Sequence, residues 1–489
     1  MNKQYFRFLM RYHRVPIIFF FVFYMIIALS TFMTGSSSYE SVYAGASTLS
    51  STIETCMVMS VLLSFGVPIY LFSWMHTKKS CDVYGALPYT RKEELITSLV
   101  AAFLVCFGFF VLGTIIPAGV GLVHGQMYLS GYLLTLVMMA LGSAALLLFN
   151  AGLYLIANNA LDGVVMLGAY HVLPFMLMVT WSNVFSSLVA GINSPNMTMI
   201  SWLSPVYSAG SLVTDAFSMA LTSNMNMQMY PDLLGRSLFL AGFLVLSIFL
   251  LKANFLDRRL ERAEQLSDQT LAYPLVIRIY TALCLLILAA GTIRGSVEFL
   301  MFILIFAAFM VSQFVYRRTI RPNWKMVVQF LILLAAAFVI AGIGWWTRGF
   351  GLSERPVDYA HAQSITYRAS NDDNDTSVDL QMDLKVDDSD TQAIALLEQL
   401  RQKSIDDYYS HSDEPEEMYQ DNSPYSYGIL SFEINGAYYI YEIKAADELS
   451  IDDLRMMKKY GTLSIEKYSY SSGNTSQLTL DQYSDLFGK

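Results

Sequence analysis

The sequence predicts an α-helical polytopic membrane protein with about nine transmembrane helices and a small C-terminal α+β soluble domain. Three observations carry that prediction. The chain is 54% hydrophobic and only 15% charged, whereas a soluble globular domain holds roughly 25% charged residues. Apolar stretches recur near 16–34, 53–75, 94–121, 130–157, 163–190, 236–252, 274–292, 297–315 and 325–345. Each approaches the ~20 residues that a helix rising 1.5 Å per residue needs to cross ~30 Å of hydrocarbon. Charge is also segregated: residues 351–489 hold 27 Asp+Glu against 11 Lys+Arg, a net of −16, while residues 1–350 carry a net of +7.

Helices are the required form for the apolar segments, because lipid cannot satisfy exposed backbone groups. Lys and Arg in short loops set the orientation. The basic clusters are Lys3, Arg7, Arg11 and Arg14; Lys78, Lys79, Arg91 and Lys92; Lys252, Arg258, Arg259 and Arg262; and Arg317, Arg318, Arg321 and Lys325. The intervening loops 35–52, 122–129 and 191–235 hold no Lys or Arg. Nine spans with a cytoplasmic N-terminus satisfy this alternation and place the acidic C-terminal domain outside the cell. A multi-pass protein of the plasma membrane is expected. With its basic residues at helix ends, it has a lipid bilayer and no nucleic acid as partner.

The order of parts follows. Residues 1–15 read as an interfacial amphipathic helix. Within QYFRFLMRYHR, Tyr5, Phe6, Leu9 and Tyr12 share one face, with Arg7, Arg11 and Arg14 toward headgroups. A signal peptide would also start basic and then apolar, but no small-residue cleavage site ends the run. A six-span core occupies 16–252 and contains a patterned loop at 75–93. Next come a linker at 253–273, three further spans over 274–345, and the acidic domain over 346–489.

Within that domain, ILSFEI-Asn435-Gly436-AYYIYEI is a hairpin signature. Asp390 or Thr391 can cap a helix to about 404, with Ala393, Leu396, Leu397 and Leu400 on one face. Ser450 and Asp453 form a capping box for 451–460, and Gly461 stops that helix. Alternation marks strands at 364–369 and 378–386, and the acidic stretch 405–425 reads as a mobile loop.

Familiar catalytic motifs are missing. There is no GxxxxGK[ST] phosphate loop, HExxH or GxSxG. The four cysteines (Cys56, Cys81, Cys106, Cys284) match no metal pattern, and no two of the six histidines stand at ligand spacing. No catalytic residue, metal site or cofactor of the chain's own is expected. Polar residues inside apolar stretches are costly, which singles out Asn150, His171 and Asn183. They line a translocation path or simply hydrogen-bond between helices. The methionines at 197, 199, 219, 225, 227 and 229 pack on the membrane surface or form a soft metal-binding set. Trp202-Leu-Ser-Pro205 is expected to turn a short helix.

Loop 75–93 is more patterned than a connector needs to be. Two lysines precede Asp82, an apolar run Val83–Leu87 ends at Pro88, and Thr90 can cap the next helix, with Glu93 and Glu94 in its first turn. The run Lys78-Lys79-Ser-Cys-Asp82-Val-Tyr84-Gly-Ala-Leu87-Pro88-Tyr-Thr-Arg91 resembles the loop after the second span of type-2 ABC transporter permeases from Gram-positive bacteria, of the form K(K/R)-x-x-D-x-Y-x-x-LP-x-x-R. The likeness extends over 1–270 and includes the basic exit FLDRRLERAEQ, which carries part of the family's R-x-x-E-x-A pattern. Residues 274–489 look like the appended spans and extracellular domain of the larger members.

The resemblance implies a non-catalytic membrane subunit of an ABC exporter, with ATP and Mg on a separate ATPase subunit. Lys78, Lys79, Asp82, Tyr84, Leu87, Pro88 and Arg91 would form the coupling helix, and Asn158 and Asn159 a second contact. A second permease subunit, a copy or a paralogue, would complete the carrier. The acidic domain suits cationic or amphipathic cargo such as an antimicrobial peptide. The residues alone leave two other classes open, a membrane sensor with an extracellular ligand-binding domain and a multi-span lipid enzyme.

Overall fold

The computed structural model describes every residue of the 489 except 1, 37–41, 196, 222–231, 266, 268, 296–298, 374–375, 411–424, 435–436, 445–448, 470–474 and 488–489. In chain order the helices are α1 (Lys3–Tyr12), α2 (Arg14–Ser36), α3 (Val42–Phe72), α4 (Lys78–Gly85), α5 (Arg91–Val123), α6 (Leu129–Tyr154) and α7 (Ala160–Leu188). Strand β1 (Ile192–Ser194) precedes α8 (Thr198–Trp202), α9 (Pro205–Leu221), α10 (Asp232–Leu251), α11 (Tyr273–Ile293), α12 (Phe299–Arg317) and α13 (Trp324–Trp346). The C-terminal part holds β2 (Ser364–Asp373), β3 (Thr376–Leu384), α14 (Thr391–Ser410), β4 (Tyr425–Ile434), β5 (Ala437–Lys444), α15 (Ile451–Met457), β6 (Gly461–Ser469), β7 (Thr475–Gln477) and α16 (Leu480–Phe487). Among the described residues, nine helices are long and apolar enough to cross a membrane, and they fall on the nine apolar stretches of the sequence.

The chain divides into two compact units, residues 1–175 with 198–276 and residues 176–197 with 277–489. In the first unit, small residues let α6 and α9 approach closely. A methyl group added at Gly131 would lie 2.3 Å from the Ala220 Cα, and one at Gly142 would lie 3.1 Å from the Ala209 Cβ. The turn at Trp202–Pro205 forms as expected, because Ser208 Oγ donates to Trp202 O at 2.8 Å. Asp215 of α9 pairs with Arg236 of α10. Nearby, Tyr24 of α2 donates to Cys56 O of α3 at 2.7 Å, deep in the core.

The interfacial face at the N-terminus differs from the expectation. Tyr5 and Leu9 are buried, but Tyr12 is 65% exposed. The helix is tied down at its start, where Asn2 caps it and the Asn2 N donates to Thr97 Oγ1 at 3.1 Å. It ends at Tyr12, so the last expected position falls off the packed face. The segment 253–273 is also more than a linker. Its Asn254, Arg258, Ala263 and Ser267 are buried.

The second unit contains the end of α7, α11 from Ile277 on, α12, α13 and a seven-stranded sheet of order β1-β5-β4-β2-β3-β6-β7, antiparallel throughout. Period-2 alternation in β3 buries Val378, Leu380, Met382 and Leu384. The predicted hairpin pairs Ile434 with Ala437, so two residues join β4 to β5; that Asn-Gly turn itself lies outside the described residues.

Helix α14 runs to Ser410, six residues beyond the expected end, so 405–410 is helical; residues 411–424 of the expected loop lie outside the described residues. Its core side carries Ala393, Leu397, Leu400 and Ile405, and also Arg401, which is 1% exposed. Arg401 is held by Glu398 and by Ser353 O at 2.7 Å. Ser450 caps α15 with the predicted capping box.

The sheet takes one strand from far upstream. Ile192 of β1 pairs with Tyr439 of β5, and the Ile440 N donates to Gly191 O at 2.7 Å. Tyr409 Oη donates to Leu188 O at 2.7 Å and Tyr408 Oη to Ser187 O at 2.9 Å. Gly191 has φ +79° with its Cα against the Tyr441 ring, where a side chain would collide at 2.3 Å.

Candidate functional site

The patterned loop between α3 and α5 folds into a short helix held by three segments of the first unit. After α3 a 3-10 turn, Ser73–His76, leads into extended Thr77, and α4 starts at Lys78. Thr77 makes no side-chain cap. Instead, the Lys78 N donates to the Glu264 Oε1 at 3.2 Å, which sets a carboxylate against the positive end of the helix. The Glu264 N in turn donates to Asn158 O at 3.0 Å. The loop after α6 and the segment after α10 therefore meet at the start of α4.

Helical spacing then sorts the side chains of α4. Facing inward, Cys81 is buried and its Sγ donates to Trp74 O at 3.5 Å, while Tyr84 stacks on Trp74 at 4.4 Å. Burial pushes the Cys81 thiol and the Tyr84 phenol above their ordinary pKa values. Facing outward, Lys79, Asp82, Val83 and Ala86 are exposed at spacing i, i+3, i+4, i+7, with Lys78 beside them. Leu87 is half-buried and Pro88 exposed. Thr90 caps α5 through a full capping box with Glu93.

Two arginines fix this arrangement. Arg91 Nη1 donates to Arg258 O at 2.5 Å and to Leu256 O at 3.4 Å. Arg258 is 5% exposed and donates to Leu155 O at 3.2 Å and Met75 O at 3.3 Å, so one guanidinium joins the ends of α3, α6 and α10. Burial lowers its pKa to about 10, which leaves it charged at neutral pH. Phe72, Met75, Leu95, Tyr154, Leu155, Leu251 and Phe255 form one buried hydrophobic cluster, which includes both residues whose carbonyls receive Arg258.

The residues expected to make external contact therefore divide. Lys78, Lys79, Asp82 and Pro88 are open to solvent, whereas Tyr84 and Arg91 are turned to internal partners. Asn158 is buried, and Asn159 caps α7 by accepting from the Leu161 N at 3.2 Å. The exposed side chain at that second loop is Leu161, at 71%. Sequence reasoning missed Arg258 and Glu264, whose signal was no more than charge at a helix exit.

No protein-family model, curated protein or solved structure matches the chain.

The polar residues of the apolar helices also divide. Asn150 is fully buried; its Nδ2 donates to Ser64 O at 2.9 Å, and its Oδ1 lies 2.6 Å from the His171 Nε2. An amide oxygen only accepts, so Nε2 carries the hydrogen. Among the described residues the buried His171 Nδ1 has no hydrogen-bond partner, and the ring lies against Phe65 and Phe149, with centroids 4.5 and 5.8 Å away. Asn183 belongs to the other unit, is exposed and donates to Val179 O at 2.7 Å. Among the described residues no three His, Cys, Asp or Glu side chains come together at metal-binding distance, and all four cysteines are free. Met225, Met227 and Met229 lie outside the described residues.

Proposed function

We propose that the chain is the membrane-spanning permease subunit of an ATP-driven exporter and that α4 is the helix through which a separate ATPase moves it. The observation that carries this reading is the two-sided construction of α4. One side is held by Trp74 and the start by Glu264, while the other side presents Lys79, Asp82, Val83 and Ala86 exposed. A connector has no need of such a brace. A lever pushed by another protein does, because force on a loosely tethered helix would be lost in local motion.

In this reading the N-terminus and loop 75–93 lie in the cytoplasm and the acidic sheet domain lies outside a plasma membrane. ATP and Mg belong to the partner, and two permease subunits form the path. Asn150 and His171 line or latch the route between helices. The net charge of −16 over residues 351–489 favours cationic or amphipathic cargo, such as antimicrobial peptides, by raising its local concentration. The test is co-purification of an ATPase with the full chain and with Asp82→Arg and Val83→Asp, both at exposed positions. Loss of the ATPase with unchanged membrane insertion is expected. Full retention by both variants would remove α4 from the coupling role.

The sensor reading has one observation in its favour. The C-terminal sheet grips the end of α7 through β1, Tyr408 and Tyr409, so a ligand on the sheet would act directly on that helix. A histidine kinase or similar signalling protein would then co-purify in place of the ATPase.

A further inference from the structure

An apolar groove of about 370 Å³ opens where α1 meets α2, α3 and α5, lined among others by His13, Phe20, Leu63, Gly66, Tyr70 and Val105. Its lining is polar at one end. There Tyr70 Oη lies 3.0 Å from His13 Nδ1, next to exposed Arg11 and Arg14. Along α3 the groove runs from Tyr70 to Met59. At 1.5 Å per residue that is about 16 Å, close to half of the ~30 Å hydrocarbon thickness. A slot of one leaflet's depth, apolar along its length and basic at its mouth, has the proportions of a single lipid tail with its headgroup.

We propose that this groove holds one acyl chain of an anionic phospholipid, with the phosphate at Arg11, Arg14 and the His13–Tyr70 pair. The inference rests on the reading that the apolar helices cross a membrane. Two features favour a lipid over a helix from a second copy. Arg11 and Arg14, on either side of His13 in the chain, are both exposed, and neither α1 nor the first turn of α2 holds an acidic residue. At Gly66, an added side chain would meet nothing within 4 Å, so the space beside the backbone is empty rather than packed. A bound tail would fill the wedge between α1, which abuts α5, and the α2–α3 pair, steadying the N-terminal helix beside α4.

The test uses full-length protein reconstituted in nanodiscs of phosphatidylglycerol and phosphatidylcholine in equal parts, then stripped in mild detergent and weighed by native mass spectrometry. Wild type should keep one phosphatidylglycerol at least threefold more often than phosphatidylcholine. Gly66→Phe, which fills the groove, should lower the retained count by one. Arg11→Gln with Arg14→Gln should keep the count and remove the preference. An unchanged count and preference in Gly66→Phe overturns the proposal, as does equal retention of both lipids by wild type. So does a Gly66→Phe protein that dissociates from dimer to monomer with its lipid retained, which would make the groove an interface between copies. Carbonate extraction at high pH tests membrane insertion separately: release into the soluble fraction sinks the membrane reading, whereas intact insertion with no selective lipid sinks only this site.

Discussion

Replacing Arg258 by Met should loosen α4 while leaving the apolar helices intact. The substitution keeps most of the aliphatic stem and removes the guanidinium donors to Leu155 O and Met75 O, 3.2 and 3.3 Å away. Each stranded buried carbonyl costs about 1–3 kcal/mol, and together they lose about 4. Against this stands relief of the buried charge. Burial brings the pKa of Arg258 from 12.5 to about 10, equivalent to about 3 kcal/mol at 1.36 kcal/mol per decade. Part of that relief is forfeited because Arg258 also anchors the segment whose backbone receives Arg91. A net loss of about 2 kcal/mol in the local opening of α4 is expected, or roughly a 30-fold rise in the open population.

Cys81 reports that population, since its thiol is buried and reacts only when α4 opens. In variants retaining Cys81 alone, the rate of maleimide labelling should rise about 30-fold in Arg258→Met. A matched pair retaining Cys106 alone, buried within α5, should not change. Electrostatics work the other way, which sharpens the test. Burial raises the Cys81 pKa and the nearby Arg258 charge lowers it, so losing the arginine makes the closed-state thiol less reactive. Faster labelling must therefore come from opening. Unchanged Cys81 labelling would refute the bracing role, and equal acceleration at Cys81 and Cys106 would show global unfolding instead.

Three further outcomes follow from the geometry. Gly131→Ala would place a methyl group 2.3 Å from the Ala220 Cα, forcing α6 and α9 apart at a cost of about 1–3 kcal/mol. The thermal midpoint in detergent should fall by several degrees, while Gly119→Ala, facing open space, should not lower it. Gly191→Ala combines an unfavourable φ of +79° with a collision on the Tyr441 ring, so hydrogen exchange at the Ile440 amide should accelerate at least tenfold. Burial holds His13 below its ordinary pKa of 6.5. The undocked segment binds protons first, so docking of α1 is at full strength above about pH 6.5 and weakens as pH falls toward the folded-state value. A spin label at Arg11 should become more mobile between pH 8 and 5.5 in the parent and not in His13→Phe.

The apolar helices were legible in the sequence because a long uninterrupted apolar run leaves a local trace. The capping boxes Thr90–Glu93 and Ser450–Asp453 and the Ile434–Ala437 pairing were legible for the same reason, each being a contact within a few residues. Arg258 was not. A basic residue at a helix exit looks the same whether it faces a headgroup or is buried against carbonyl oxygens. Tyr84 and Arg91 were legible as members of a patterned loop, but the pattern did not say which members point inward. Arg401 was hidden because its place on the core side of α14 depends on Glu398 and Ser353 being there to receive it. The strand β1 left no trace either. Three residues are too few to show alternation, and their partner is roughly 250 positions away.

That distance gives the sheet a place in time. β5 is synthesised long after β1, so β1 cannot pair until nearly the whole chain exists. Until then the segment after α7 waits without its partner, and a fragment that begins at residue 346 leaves β5 as a bare edge rich in Tyr and Ile, open to pairing with other chains. Completion of the sheet thus records that the helices between the two strands have been made, and severing the last part from the first removes a piece of its own fold.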